Sequence, residues 1–295
     1  MRLVAERVRS CIIGGAWGDV SGGLWERQRM RMPASELSLS DDTQLTLATC
    51  EAIMDAKRVD PASIADAMLR WFREGRVTGM GSSTLKALRD LDAGVHWAFS
   101  GAAGEYAAGN GAAMRIAPLA FLLDPRDTAH RTVIHDVCRI THRNDEAFAG
   151  ALAVVAAIEA AISRGGVEWN LFETVAEILP DTSVRDRMTE IVGRGLSPRE
   201  IAGEYGAGGH VVETVPLALA CAISSGNSTL RAVELAAEIS EDSDTVASIA
   251  GQIAGAAEGP WLDNTVLRAI RGGSEVFEVA ERFAGFVHSR PRFPL

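Results

Sequence analysis

Alternating apolar and polar residues, the mark of a half-buried strand, are almost absent from this 295-residue sequence, and residues 210–215 are the one short candidate. A sheet-based fold is therefore excluded and an all-α one expected. No basic run goes beyond Arg27, Arg29 and Arg31, while the formal net charge is −10 and the pI about 5.2. A nucleic acid would be repelled by such a surface, so no nucleic-acid partner is expected. No apolar stretch matches the ~20 residues of a membrane span. The most apolar one, residues 147–162, is Ala-rich and interrupted by Glu159, so it reads as a buried central helix and no membrane partner is expected. Arg2, Arg7 and Arg9 precede only Cys11-Ile12-Ile13 before Asp19 intervenes, too short a core for an export signal. The four cysteines, Cys11, Cys50, Cys138 and Cys221, lack paired spacing, which disfavours a disulfide framework or a thiolate metal site. Buried free thiols and a cytoplasmic setting are the expectation. No compositional break or fixed-period repeat divides the chain, so residues 1–295 are expected to form one domain, with a monomer favoured.

Helical periodicity fills nearly every segment. Residues 2–17 are expected to form a helix ending in glycines, with Gly14, Gly15 and Gly18 allowing close packing or a turn ahead of Asp19, followed by a loop over 22–39 broken by Pro33. In the next helix Leu45, Ala48, Thr49, Ala52, Ile53 and Ala56 fall on one continuous face. Further helices are expected at 61–72, 82–91, 128–140, 145–163, 168–179, 184–194, 213–224, 229–239 and 275–288, with the tail from 290 to 295 structural. Residues 100–111 are the longest stretch of small residues. They lead into an apolar segment, 112–118, that reads as a helix whose free N–H groups suit a phosphate.

Two acidic motifs stand out, Ser40-Asp41-Asp42-Thr43 and Asp242-Ser243-Asp244-Thr245, each at the start of an apolar helix. A single carboxylate there is an ordinary cap. Doubled sets that converge would repel and shift one another's pKa unless a cation sat between them, and such oxygen donors select Mg²⁺, Mn²⁺ or Ca²⁺.

Gly18-Asp19 with Trp25-Glu26, Ser40 to Gln44, Gly109 to Arg115, Thr141-His142, and Asp242 to Thr245 with Ile249-Ala250-Gly251 together resemble, in that order, the ADP-ribosylglycohydrolase family. The resemblance implies a compact orthogonal helical bundle with two divalent cations, Mg²⁺ or Mn²⁺, at the bottom of a cleft. Ser40, Asp41, Asp42, Asp242, Asp244 and Thr245 would be their ligands, and Glu26, on a mobile loop, would act with Asp42 and Asp244 in catalysis. Gly109, Asn110 and Gly111 would hold the ADP-ribose phosphates and ribose, with Met114 lining the pocket and His142 near the ligand. The implied reaction releases ADP-ribose from a modified protein or a small ADP-ribosyl conjugate, arginine being favoured over serine or O-acetyl acceptors. The chain departs from the family at Ser240-Glu241, where glycines are usual and a bulkier, more negative pair could crowd the cations. It departs also at Gly79 to Thr84, which lacks the aspartate of the nitrogenase-regulating members, and at Ala107-Ala108, where some members have larger residues. A non-catalytic ADP-ribose or nucleotide-binding protein is the alternative that Ser240-Glu241 leaves open. A metal-free structural bundle is the other.

Overall fold

The structure is a computed structural model that describes residues 2–30, 37–259 and 265–290. Helices α1 (Arg2–Arg29), α2 (Asp41–Ala56), α3 (Pro61–Arg73), α4 (Ser82–Asp92) and α5 (Trp97–Ser100) lead into the small-residue loop. There Ala102–Ala103 (β1) pairs in parallel with His142–Arg143 (β2), the only sheet among the described residues. Helices α6 (Thr128–Arg139) and α7 (Asp145–Arg164) flank β2, and α8 (Asn170–Ala176), α9 (Ser183–Arg194), α10 (Pro198–Tyr205) and α11 (Val211–Ser224) follow. The chain closes with α12 (Thr229–Ile239), α13 (Ser243–Glu258), α14 (Thr265–Ala269) and α15 (Gly273–His288). The expected all-α architecture is what the chain adopts.

The most extensive helix pairing is α1 on α13, with α12, α15, α11 and α7 packed around the pair. Gly14, Gly18 and Gly22 recur every four residues and so form a single stripe on α1. A methyl group on any of them would collide with the α13 backbone, at Gly251, Ala247 and Ser243 respectively. From the other side, Gly251 and Gly255 meet the α1 backbone at Gly14 and Ser10. The helices therefore run antiparallel at backbone contact. This corrects the expectation that α1 ends near residue 17. Glycine lowers helix propensity by about 1 kcal/mol, but here the close packing it permits outweighs that cost, and the helix continues to Arg29. Pro33 and residues 291–295 lie outside the described residues.

Helix α7 is longer than the apolar stretch read from the sequence and, at 20 residues, long and apolar enough by composition to cross a membrane, which corrects that reading; 78% of its most apolar window is nevertheless buried inside the fold, as expected of a central helix. The segment expected to be an apolar helix after residue 112 instead forms two 3-10 turns, Ala113–Arg115 and Ala117–Phe121. Pro118 has no N–H to donate, and the fully buried Arg115 side chain turns back to the carbonyls of Gly111 and Val137. Residues 210–215 open α11 and make no strand beyond an isolated bridge to Gly109. Helix α10 was not expected, although Ser197-Pro198-Arg199-Glu200 announces it: Ser197 and Glu200 form a capping box with proline at the first turn.

Candidate active site

The glycine stripe of α1 aims the next residue in its series, Glu26, at the start of α13. Its Oε1 accepts the N–H groups of Ser243 (2.7 Å) and Asp244 (3.4 Å). Glu26 is thus fixed in the last turns of a helix; the expected mobile loop is corrected by the continuation of α1. Directly after Gly18, α1 also presents the buried Asp19, whose carboxylate accepts Ser40 N (3.0 Å), Thr43 N (3.3 Å) and Thr43 Oγ1 (2.6 Å). Ser40 Oγ accepts Asp42 N at 3.2 Å and donates to Asp42 Oδ2 at 3.1 Å. The free N–H groups at both helix starts are therefore served largely by Asp19, Ser40 and Glu26. Asp242, although at the cap position of α13, makes no side-chain cap bond, and Asp244 accepts the adjacent Thr245 N (2.7 Å).

The carboxylates of Asp41, Asp42, Asp242 and Asp244 are released from the capping role and border one cavity of about 460 Å³ with Thr245. Asp42 Oδ2 also accepts Thr245 Oγ1 across the two motifs at 3.2 Å, while Asp42 Oδ1 is buried with no partner. Oxygens of Glu26, Asp242 and Asp244 lie within 4.8 Å of one another. Ser40 and Glu26 do not line this cavity. They border an adjoining one of about 350 Å³, and Asp244 and Gly79 belong to both.

Burial, then the charge of Asp19, pushes the Asp41 carboxyl up to about 7, and burial with the charge of Asp242 pushes Asp244 up to about 9. Asp42 is held well above its ordinary value by burial and then by Asp244. Without a cation the folded chain thus holds protons that unfolded carboxylates, titrating near 4, have already released. Stability contributed by these groups is complete below about pH 4 and is lost as pH rises through 7 and 9. We expect the melting temperature in EDTA to fall between pH 6 and 9. Saturating Mg²⁺ should raise it most at the alkaline end, as calorimetry in the two buffers will measure.

The small-residue loop forms the opposite wall. A methyl group on Gly109 would press on His142 Nε2 at 3.2 Å, and one on Gly111 would strike His142 Cε1 (2.8 Å) and Thr84 Oγ1 (2.9 Å), so the glycines let this backbone lie on the ring. His142 is 2% exposed, pairs through Nδ1 with Thr141 Oγ1 at 2.8 Å, and is driven down to about 3 by burial and the nearby Arg115, which keeps it neutral. Met114 also lines the cavity. The side chain of Asn110, expected to meet substrate, lines the cavity and donates through Nδ2 to Asp242 Oδ2 (2.6 Å) and Thr214 Oγ1 (3.1 Å).

Sequence reasoning did not single out Asp19 or Thr214 as site residues, nor Gly209, Tyr106 and Ser82, which line the cavity. Asp19 stood only as part of the Gly18-Asp19 motif, with no role given to it, and Thr214 carried no signal; the partners of both lie far away in sequence. Ser240 is fully buried against α12, and Glu241 is exposed; neither lines the cavity, so the pair does not crowd it.

The family model described as ADP-ribosylglycohydrolase matches residues 2–292. The chain is 28% identical to ADP-ribosylarginine hydrolase Tri1 of Pseudomonas putida (strain GB-1), over 86% of this chain and 71% of that protein. It is 22% identical to ADP-ribosylhydrolase ARH3 of Mus musculus, over 85% of this chain and 83% of that one. A solved structure described as an ADP-ribosylglycohydrolase-related protein complex shares the fold, with a TM-score of 0.73 at 24% identity, over 97% of this chain and 100% of its own.

Proposed function

The chain belongs to the ADP-ribosylglycohydrolase family, and from that premise we propose that it is a hydrolase dependent on two divalent cations, Mg²⁺ or Mn²⁺, that releases ADP-ribose from modified arginine side chains. One observation carries the proposal: the starts of α2 and α13 are capped largely by Asp19, Ser40 and Glu26, so the paired carboxylates converge on one cavity with oxygen donors to spare. The donor set fits a hard cation, since it is all oxygen and includes the orphaned, buried Asp42 Oδ1. Asp41, Asp42, Asp242, Asp244 and Thr245 would hold the ions, with Ser40 bracing Asp42. When bound, the ions would supply Lewis-acid polarisation and a lowered pKa for water.

The larger cavity, with its glycine-permitted backbone at Gly109 and Gly111, suits ADP-ribose. The smaller one, lined by Glu26, suits the acceptor side chain. C1″ would then lie near Asp244, where the two cavities meet. Bond cleavage develops positive charge on the ribose ring, and Asp244 and Asp42, which lose their protons when the ions bind, would offset the charge of the ions beside it. Glu26, on the acceptor side, is placed to exchange a proton with the leaving nitrogen or to orient water. The arginine acceptor is supported by the Trp25-Glu26 context and by the name of the Pseudomonas relative. The partner would be an ADP-ribosylated protein or a small ADP-ribosyl conjugate, and four buried free cysteines support a cytoplasmic setting.

The experiment is release of free ADP-ribose from arginine-modified and serine-modified protein, with Mg²⁺, with Mn²⁺ and after chelation. Metal-dependent release from arginine is expected; release from serine alone overturns the acceptor, and binding without release from either overturns catalysis. In the same assay Glu26→Gln, whose amide oxygen can still accept Ser243 N, should lower kcat by roughly 10²-fold or more with little change in melting temperature. Unchanged turnover would remove Glu26 from the chemistry.

A further inference from the structure

Asn110 stands in the cavity wall expected to meet substrate, and its side-chain nitrogen is engaged within the protein. Nδ2 donates to Asp242 Oδ2 at 2.6 Å and to Thr214 Oγ1 at 3.1 Å, while its backbone N–H donates to Gly209 O at 3.1 Å. Thr214, fully buried on α11, anchors this arrangement in turn. Its Oγ1 donates to Gly208 O at 2.7 Å, and it does not line the cavity. Residues 207–211 are held from both sides: Val211 N donates to Ala108 O at 2.9 Å, and Ala207 O accepts Glu241 N (2.9 Å) and Asp242 N (3.2 Å). The small-residue loop, the start of α11 and the second acidic motif are thereby tied into one unit, with the Asp242 carboxylate at its centre.

Resting on the cation reading above, we infer that Asn110 and Thr214 are positioning residues for Asp242. The hydrogen bond to Oδ2 restrains the carboxylate rotamer and would leave Oδ1 as the oxygen available to a cation. Thr214 fixes the Asn110 amide by receiving its other proton. Donors in this relation to a liganding carboxylate set its orientation, and their loss weakens metal affinity by roughly 10- to 100-fold.

The test is calorimetric titration of Mn²⁺ into the metal-free full chain and its variants, with melting temperature recorded alongside. Asn110→Ala should raise the Mn²⁺ Kd by about 10-fold or more. Thr214→Val, which keeps shape but loses the hydroxyl, should weaken binding in the same direction, and Thr214→Ser should restore it. A purely structural role predicts a lower melting temperature with an unchanged Kd, and that result overturns the inference. A wild-type protein that takes up no Mn²⁺ overturns the cation reading and the inference with it. Wild-type binding with Asn110→Ala within twofold of it overturns the inference alone.

Discussion

Replacing Asp42 by Asn is expected to cut ADP-ribose release by about 10³-fold or more and, in the absence of metal, to make the protein more stable. Asp42 is 2% exposed, its Oδ1 has no partner, and Asp244, Asp19 and Asp41 crowd it with negative charge. At pH 8 the wild-type side chain must either hold a proton that the unfolded chain has released or carry its charge beside those neighbours. Asn does neither, and its oxygen still accepts from Ser40 and Thr245. A gain in stability in EDTA follows, read as a higher melting temperature than that of the wild type. Adding Mg²⁺ should reverse the order, because a ligand that binds only the folded state stabilises it in proportion to RT ln(1 + [L]/Kd), and the variant has lost the affinity. A variant less stable than wild type in EDTA would mean that Asp42 serves the fold through its hydrogen bonds.

The second large effect belongs to the helix pair. A methyl group at Gly18 would meet the Ala247 carbonyl and, at 2.6 Å, Ser248 N, so Gly18→Ala must push α1 off α13. Backbone cannot yield as a side chain can, and a cost of about 3 kcal/mol or more is expected, or a fall of roughly 6–12 °C. Because Asp19 and Glu26 ride on the same helix, turnover should fall in whatever fraction still folds. Gly23→Ala is the control: nothing lies within 4 Å of its added methyl, so better helix propensity should leave stability equal or up to about 1 kcal/mol higher. Thermal unfolding of the two variants measures the contrast. Equal effects at the two positions would refute the backbone-contact account of the stripe.

The same glycines show where sequence reasoning stops. Gly14, Gly18 and Gly22 carry the spacing of a helix face, but glycine also signals a helix end, and only the partner α13 decides between these meanings. The acidic motifs were legible because doubled carboxylates at apolar helix starts are electrostatically costly unless something offsets them. The other half of the arrangement was not: Asp19 lies far before the N–H groups it caps, and Glu26 far before Ser243, so no local pattern could say that α2 and α13 are capped from elsewhere. The 3-10 turns around Pro118 were misread as a helix because apolar content outweighed the missing donor. The resemblance to a substrate-holding loop assigned Asn110 to the cavity wall, where it stands, but its bonds to Asp242 and to Thr214 on another helix had no local signal.

Calorimetric titration of Mn²⁺ into the metal-free protein, with Asp42→Asn and Asp244→Asn alongside, tests the convergence of the two helix starts most directly. Two ions per chain for the wild type, with at least one lost in each variant, is the predicted result. No uptake by the wild type, or full uptake by both variants, would contradict it.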